Sequence, residues 1–136
     1  MEQNRVRMEG DVFAKHSGLT LVEMQPGRAK TSMAIRPEHL NGLGMVHGGA
    51  IFTLADFAFA AAVNSHDVQA VAINVSISYL RPVNSAMLYA EANETHTTRA
   101  LAWCTVHVTD DNQQLIAIFQ GLAYRKAPPA TSTGRA

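Results

Sequence analysis

The run His47-Gly48-Gly49-Ala50-Ile51-Phe52-Thr53-Leu54-Ala55-Asp56-Phe57-Ala58-Phe59-Ala60-Ala61-Ala62-Val63 decides how this chain folds. Beyond the two glycines its only polar side chains are Thr53 and Asp56, and its alanines combine helix propensity with little bulk. A helix that is apolar all round has to be surrounded, and a single sheet wrapped around it is the economical solution for a small chain. With 136 residues there is room for one core of ordinary size. The expectation is an α+β chain, an antiparallel sheet around a long central helix, forming one domain over residues 1–126.

The flanks supply the strands. On the N-terminal side, Leu19 to Met24 reads as a strand, Pro26-Gly27 as a turn, and Ala29, Thr31, Met33 and Ile35 alternate with Lys30, Ser32 and Ala34. Pro37 ends this hairpin, and a loop through His39, Asn41, Gly42 and Gly44 leads into the helix. Asn64-Ser65-His66-Asp67 closes the helix. Ile73, Val75, Ile77 and Tyr79 then alternate with Asn74, Ser76 and Ser78 until Arg81-Pro82. Further runs at Met87 to Glu94, Leu101 to Thr109 and Leu115 to Tyr124 are joined by short polar links, which imply antiparallel neighbours. Residues 3–16 predict a weakly amphipathic outer helix, with Val6, Met8, Val12 and Phe13 as its apolar positions and Gly10 as its break. Residues 127–136, with Pro128-Pro129, lack an apolar pattern and read as a disordered tail.

Charge and composition narrow the function. Lys plus Arg and Asp plus Glu both total 11, so no charge excess holds the chain on nucleic acid or an anionic membrane. The longest apolar run is shorter than the ~20 residues of a membrane span and contains Asp56. The charged N-terminus lacks the apolar segment of a signal peptide. Hydrophobic residues make up 47% against 16% charged, which suggests apolar surface buried against another copy of the chain. The single cysteine, Cys104, excludes an internal disulfide framework and fits a reducing cytoplasm; beside Trp103 on a strand it reads as a small core residue. His16, His39, His66 and His96 read as loop or terminal residues and His107 as a strand residue, none at metal-ligand spacing, so no metal is expected. Gly42-Leu43-Gly44 lacks the strand-to-helix setting of a dinucleotide fingerprint.

Asp56 is the anomaly. Ionised carboxylates are seldom buried without a partner, and Asp56 is too far into the helix to serve as a cap. It either faces water, meets an arginine from a neighbouring strand, or carries chemistry. Thr53 precedes it by three positions and Ala60 follows by four, giving one stripe along which a ligand could approach. At the helix start, Gly48 and Gly49 offer backbone N–H groups without intrahelical acceptors, suited to an oxyanion. His47 either orients that turn, bonds a ligand or is simply structural. Gly48 and Asp56 are eight residues apart, roughly 12 Å along a helix. They can act on one carbonyl only if two copies pair with helices antiparallel.

The segment His47-Gly48-Gly49 to Asp56, with Ala58-Phe59-Ala60 and the later Tyr79-Leu80-Arg81-Pro82, resembles the hotdog-fold acyl-CoA thioesterases, the PaaI type associated with phenylacetate breakdown above all. The likeness runs from about Phe13 to Arg125. It implies hydrolysis of aryl- or short acyl-CoA thioesters by a cytoplasmic homo-oligomer, a tetramer built of dimers. No cofactor is implied beyond the coenzyme A of the substrate. By this resemblance Asp56 is the catalytic carboxylate, as nucleophile or general base. Gly48 N–H polarises the thioester oxygen, Asn41 and His47 position thioester or water, and Asp56 comes from the facing subunit. Gly49, Thr53 and Phe57 fall at the substrate, while Arg81 and Arg99 loosely match the basic residues that meet coenzyme A phosphates. Phe57 departs from relatives with a small polar residue after the acid, and Phe52, Phe57 and Phe59 read either as an aryl-acyl pocket or as plain core. An acyl-thioester dehydratase or hydratase of the same fold, and a non-catalytic acyl-CoA binding module, are the alternative readings.

Overall fold

The computed structural model describes residues 1–126; the expected tail at 127–136 lies outside them. The order is α1 (Glu2–Glu9), α2 (Val12–His16), β1 (Leu19–Gln25), β2 (Arg28–Ala34), a 3-10 turn at Pro37–His39, α3 (Gly48–Val63), β3 (Ala70–Tyr79), β4 (Met87–Thr97), β5 (Leu101–Asp110) and β6 (Leu115–Arg125). The six strands form one antiparallel sheet in the order β1-β2-β4-β5-β6-β3. Helix α3 carries the chain from β2, near one edge, to β3 at the other, and so lies across the face it covers. This is the wrapped-helix architecture expected from the Ala-rich run.

Period-two alternation assigns the faces. Ala102, Cys104, Val106 and Val108 of β5 and Leu88, Ala90 and Ala92 of β4 are buried under the helix, while Trp103 and His107 point outward. Alanines on helix and strands allow close approach, and Phe59 and Phe119 fill the space between them with ring centroids 5.5 Å apart. Gly121 is required beneath them, since a Cβ there would stand 2.6 Å from Phe59 Cε1. Thr31 Oγ1 donates to Leu54 O at 3.1 Å and ties α3 to β2 in the buried layer.

The turn out of α3 is fixed by polar groups. Asn64 donates through Nδ2 to Ala60 O (2.9 Å) and Ala70 O (3.0 Å), and its Oδ1 accepts from Ala70 N at 2.8 Å. Ser65 Oγ donates to Ala62 O and accepts from Gly27 N in the β1–β2 turn, where Gly27 takes φ +75°. Asn64 is only 7% exposed, so Asn64→Ala strands one buried donor and one acceptor of Ala70. Loss of about 2 kcal/mol of stability is expected, read as a lower urea midpoint with unchanged slope; an unchanged midpoint would show the network to be dispensable.

Two elements need more than the local pattern. The helix over residues 3–16 breaks at Gly10 as expected, and the break separates two distinct helices because Asp11 Oδ1 accepts from Ala14 N and starts a new one. Of the apolar positions Met8 packs against the core while Val6, Val12 and Phe13 are exposed, and α1 docks through Asn4, whose Nδ2 donates to His66 O and Val68 O. The apolar face of β3 is also incompletely covered. It is an edge strand on which, past the buried Ala70, only Val75 and Ile77 pack against the core, a bulge between Ala72 and Asn74 sets Ile73 aside, and Ile73 is 56% exposed.

Candidate active site

The loop before α3 is closed on itself. Leu40 and Val46 form an isolated antiparallel bridge, and His47 N donates to His39 O at 2.7 Å. Within it Asn41 Oδ1 accepts from Leu43 N (2.9 Å) and Met45 N (3.0 Å), so the side-chain carbonyl is spent on loop geometry. Its Nδ2 has no acceptor among the described residues and is left to donate outward.

The loop delivers His47 as the N-cap of α3. Its Nδ1 accepts from Gly49 N at 2.8 Å, and its carbonyl accepts from Ala50 N and Ile51 N. Gly49 N–H is therefore not the open donor that its position suggested; among the described residues Gly48 N–H alone of the first four lacks an acceptor. Because Nδ1 accepts, a neutral His47 carries its proton on Nε2, which is then a donor rather than a base. Tyr79, at the end of β3, donates its hydroxyl to Gly48 O at 2.9 Å, and a Cβ on Gly48 would meet the ring at 3.1 Å. A larger residue would push the Tyr79 ring aside by a few tenths of an ångström.

Asp56 is half-buried on α3, and no salt bridge or hydrogen bond engages its carboxylate among the described residues. No neighbouring arginine meets it. Burial pushes its pKa above the usual carboxylate value of 3.8, and the nearby Asp11 adds to the shift. It lines a recess of about 160 Å³ with Thr53 and Phe57 of its own helix and Asp11 and Phe13 from the α2 segment. Thr53 Oγ1 donates to Gly49 O at 2.8 Å and also borders a second recess of about 280 Å³ with His47 and Gly49. The two recesses thus adjoin at Thr53.

The chain gathers Asp56, Thr53 and Phe57 at one recess and Asn41, His47, Gly48 and Gly49 at the helix start. It does not join them at one carbonyl, since Gly48 and Asp56 stay roughly 12 Å apart on a stiff helix. Arg81 is exposed just past Tyr79, at the Gly48 end. Arg99, in the β4–β5 turn, lies at the opposite end of the sheet, nine strand positions or roughly 30 Å away along β3. Phe59 is core, packed on Phe119 and Gly121, whereas Phe57 borders the recess. Cys104 is buried, and burial with Glu94 beside it pushes its thiol up to about 12. No group of three or more His, Cys, Asp or Glu is placed to hold a metal among the described residues. Asp11, Phe13 and Tyr79 were not anticipated as site residues; the one available signal was Tyr79, within the Tyr-Leu-Arg-Pro segment.

A profile of the thioesterase superfamily matches residues 43–117, the stretch from the Asn41 loop to β6. The acyl-coenzyme A thioesterase PaaI of Escherichia coli is 35% identical over 94% of this chain and 91% of its own. The structure of the E. coli PaaI protein from the phenylacetic acid degradation operon superposes with a TM-score of 0.87 at 32% identity, covering 93% of this chain and 92% of that one. A mutant of the phenylacetic acid degradation protein PaaI from Thermus thermophilus superposes with a TM-score of 0.81 at 34% identity, covering 85% of this chain and 100% of the other. The wrapped helix, the His-Gly-Gly start and these likenesses agree: the chain belongs to the thioesterase superfamily, as a hotdog-fold thioester hydrolase of the PaaI type.

Proposed function

We propose that this hydrolase cleaves coenzyme A thioesters of aryl or short acyl groups, such as phenylacetyl-CoA, to the free acid and coenzyme A. The observation that carries the reading is Asp56, a desolvated carboxylate without an ion-pair partner among the described residues, on the wall of a recess of about 160 Å³. The name of the E. coli relative supports coenzyme A as the thiol, and its operon supports an aryl acid.

As general base, Asp56 takes a proton from water while the water oxygen bonds to the thioester carbon; the C–S bond then breaks and the departing thiolate takes up the proton. As nucleophile, its carboxylate oxygen bonds to the thioester carbon as the C–S bond breaks and coenzyme A leaves as the thiolate; water then opens the mixed anhydride to the free acid and regenerates the carboxylate, the water's proton ending on the thiolate. Heavy oxygen from water entering Asp56 in a single turnover marks the second route. Gly48 N–H stabilises the oxyanion, with Asn41 Nδ2 and His47 Nε2 holding thioester or water. Gly49, Thr53 and Phe57 line the approach, and Arg81 and Arg99 meet coenzyme A phosphates, Arg99 from a different copy than Arg81. Coenzyme A is substrate, and no separate cofactor enters.

The reading requires two copies, so that Asp56 of one faces Gly48 of the other, and the tetramer is then a pair of such dimers. The exposed β3 edge, with Ile73 and Tyr79, supports this because an uncovered apolar strand edge favours pairing. Among the described residues no helix is long and apolar enough to cross a membrane, and the single free cysteine supports the cytoplasm as the compartment.

Thiol release over a panel of acyl-CoAs tests the reading; no release from any member refutes it. Catalysis needs Asp56 ionised, so kcat/KM should fall as pH drops through its raised pKa, giving an acid limb above pH 3.8. A limb at or below that value would remove Asp56 from the reaction. The hydratase alternative needs a histidine base, and His47 Nδ1 is already engaged by Gly49 N–H. It predicts hydration of crotonyl-CoA without thiol release, and a binding module predicts neither.

A further inference from the structure

Phe13 is 65% exposed, yet it sits on a segment that the structure holds firmly. Helix α2 is capped by Asp11, its Ala14 is buried, and Ser17 N donates to Phe13 O at 2.9 Å. The following turn is clamped from below. His39, 5% exposed, accepts from Arg36 N at Nδ1 (2.9 Å) and therefore donates from Nε2 to Ser17 O (2.7 Å). Arg36 also donates to His16 O at 3.2 Å. A large ring carried on a fixed stretch of backbone at the rim of a recess, with most of its surface exposed, is placed to meet a ligand that enters it.

The recess it borders is the one that contains Asp56. Phe52 and Phe57 of α3 and Leu19 of β1 supply its apolar walls, and Ala60 leaves it open beside the carboxylate. Its volume of about 160 Å³ is close to the roughly 150 Å³ of an apolar cavity that accepts benzene. We infer that Phe13 is the residue that sets acyl selectivity, packing its ring on the acyl group held beside Asp56 and favouring a single aromatic ring over smaller or longer chains. The inference rests on the thioesterase reading of Asp56 and adds to it the element, from outside the matched 43–117 core, that chooses the acid.

The test compares the parent with Phe13→Ala and Phe13→Leu, measuring kcat/KM by thiol release for acetyl-, phenylacetyl- and octanoyl-CoA, with melting and elution volume for each variant. Because Phe13 is largely exposed, both variants should fold. Phe13→Ala should lower the phenylacetyl-to-acetyl ratio of kcat/KM about tenfold, mostly through KM, and raise octanoyl relative to phenylacetyl; Phe13→Leu should lower the first ratio about threefold. Ratios that move less than about twofold in both variants overturn the inference. So does a uniform loss on all three substrates with a changed elution volume, which would make Phe13 a subunit contact. If the parent releases thiol and Asp56→Asn abolishes it while the ratios stay fixed, the selectivity role alone fails. If the parent releases thiol from none of the three, the underlying reading fails and this one with it.

Discussion

Asp56→Asn is expected to lower kcat for thioester hydrolysis by about 10³-fold while leaving the fold intact. The amide occupies nearly the same volume but can neither accept a proton from water nor attack a carbonyl. Its effect on stability should have the opposite sign. The native carboxyl holds its proton to a higher pH than the unfolded one, whose value is 3.8, so the native state binds more protons in that window. Stability attributable to this group therefore falls as pH rises from 3.8 through the raised native value and stays reduced above it. Asparagine removes that loss, and the variant should unfold at an equal or higher urea concentration than the parent at pH 7. Parental turnover in the variant would refute the catalytic assignment; a marked loss of stability would refute the account of Asp56 as a strained, unpartnered acid.

The second large effect concerns the core. Phe59→Ala should cost about 3–5 kcal/mol, since the ring is fully buried and fills the space between helix and sheet. Gly121→Ala should cost about 1–3 kcal/mol for the converse reason, its methyl arriving 2.6 Å from Phe59 Cε1 and 2.7 Å from Cζ. The two changes act on one volume, so the double variant should be more stable than the sum predicts by about 1 kcal/mol. Additive losses in urea melts would show that the ring and the glycine do not share that space.

The central helix and the succession of strands along the chain were legible because both rest on periodicity, and Asp56 stood out because a carboxylate interrupts an apolar run; the place of each strand in the sheet was not. What escaped depends on groups distant in the chain. Nothing near Gly49 distinguishes it from Gly48; the distinction arises because His47 turns its ring back onto one N–H. Phe13 read only as an apolar position of an outer helix, and the three-dimensional arrangement alone puts it beside a carboxylate 43 positions later. Ile73 and Tyr79 carry the pattern of a covered strand, and their exposure follows from β3 being an edge, which local pattern does not reveal. Asn4 docks α1 by hydrogen bonds to backbone carbonyls, a mode without hydrophobic periodicity.

Helix α3 keeps its structural and chemical duties on separate stripes. Leu54, Ala58 and Phe59 are sealed against the sheet, while Gly49, Thr53, Asp56 and Ala60 remain at least partly open. Mutational drift can therefore explore Thr53 and Ala60 on the open stripe, and the Phe13 rim that faces it, around a fixed Asp56 and without unsettling the packed stripe. Descendants of such a chain are free to diverge in the acids they release while retaining a common scaffold.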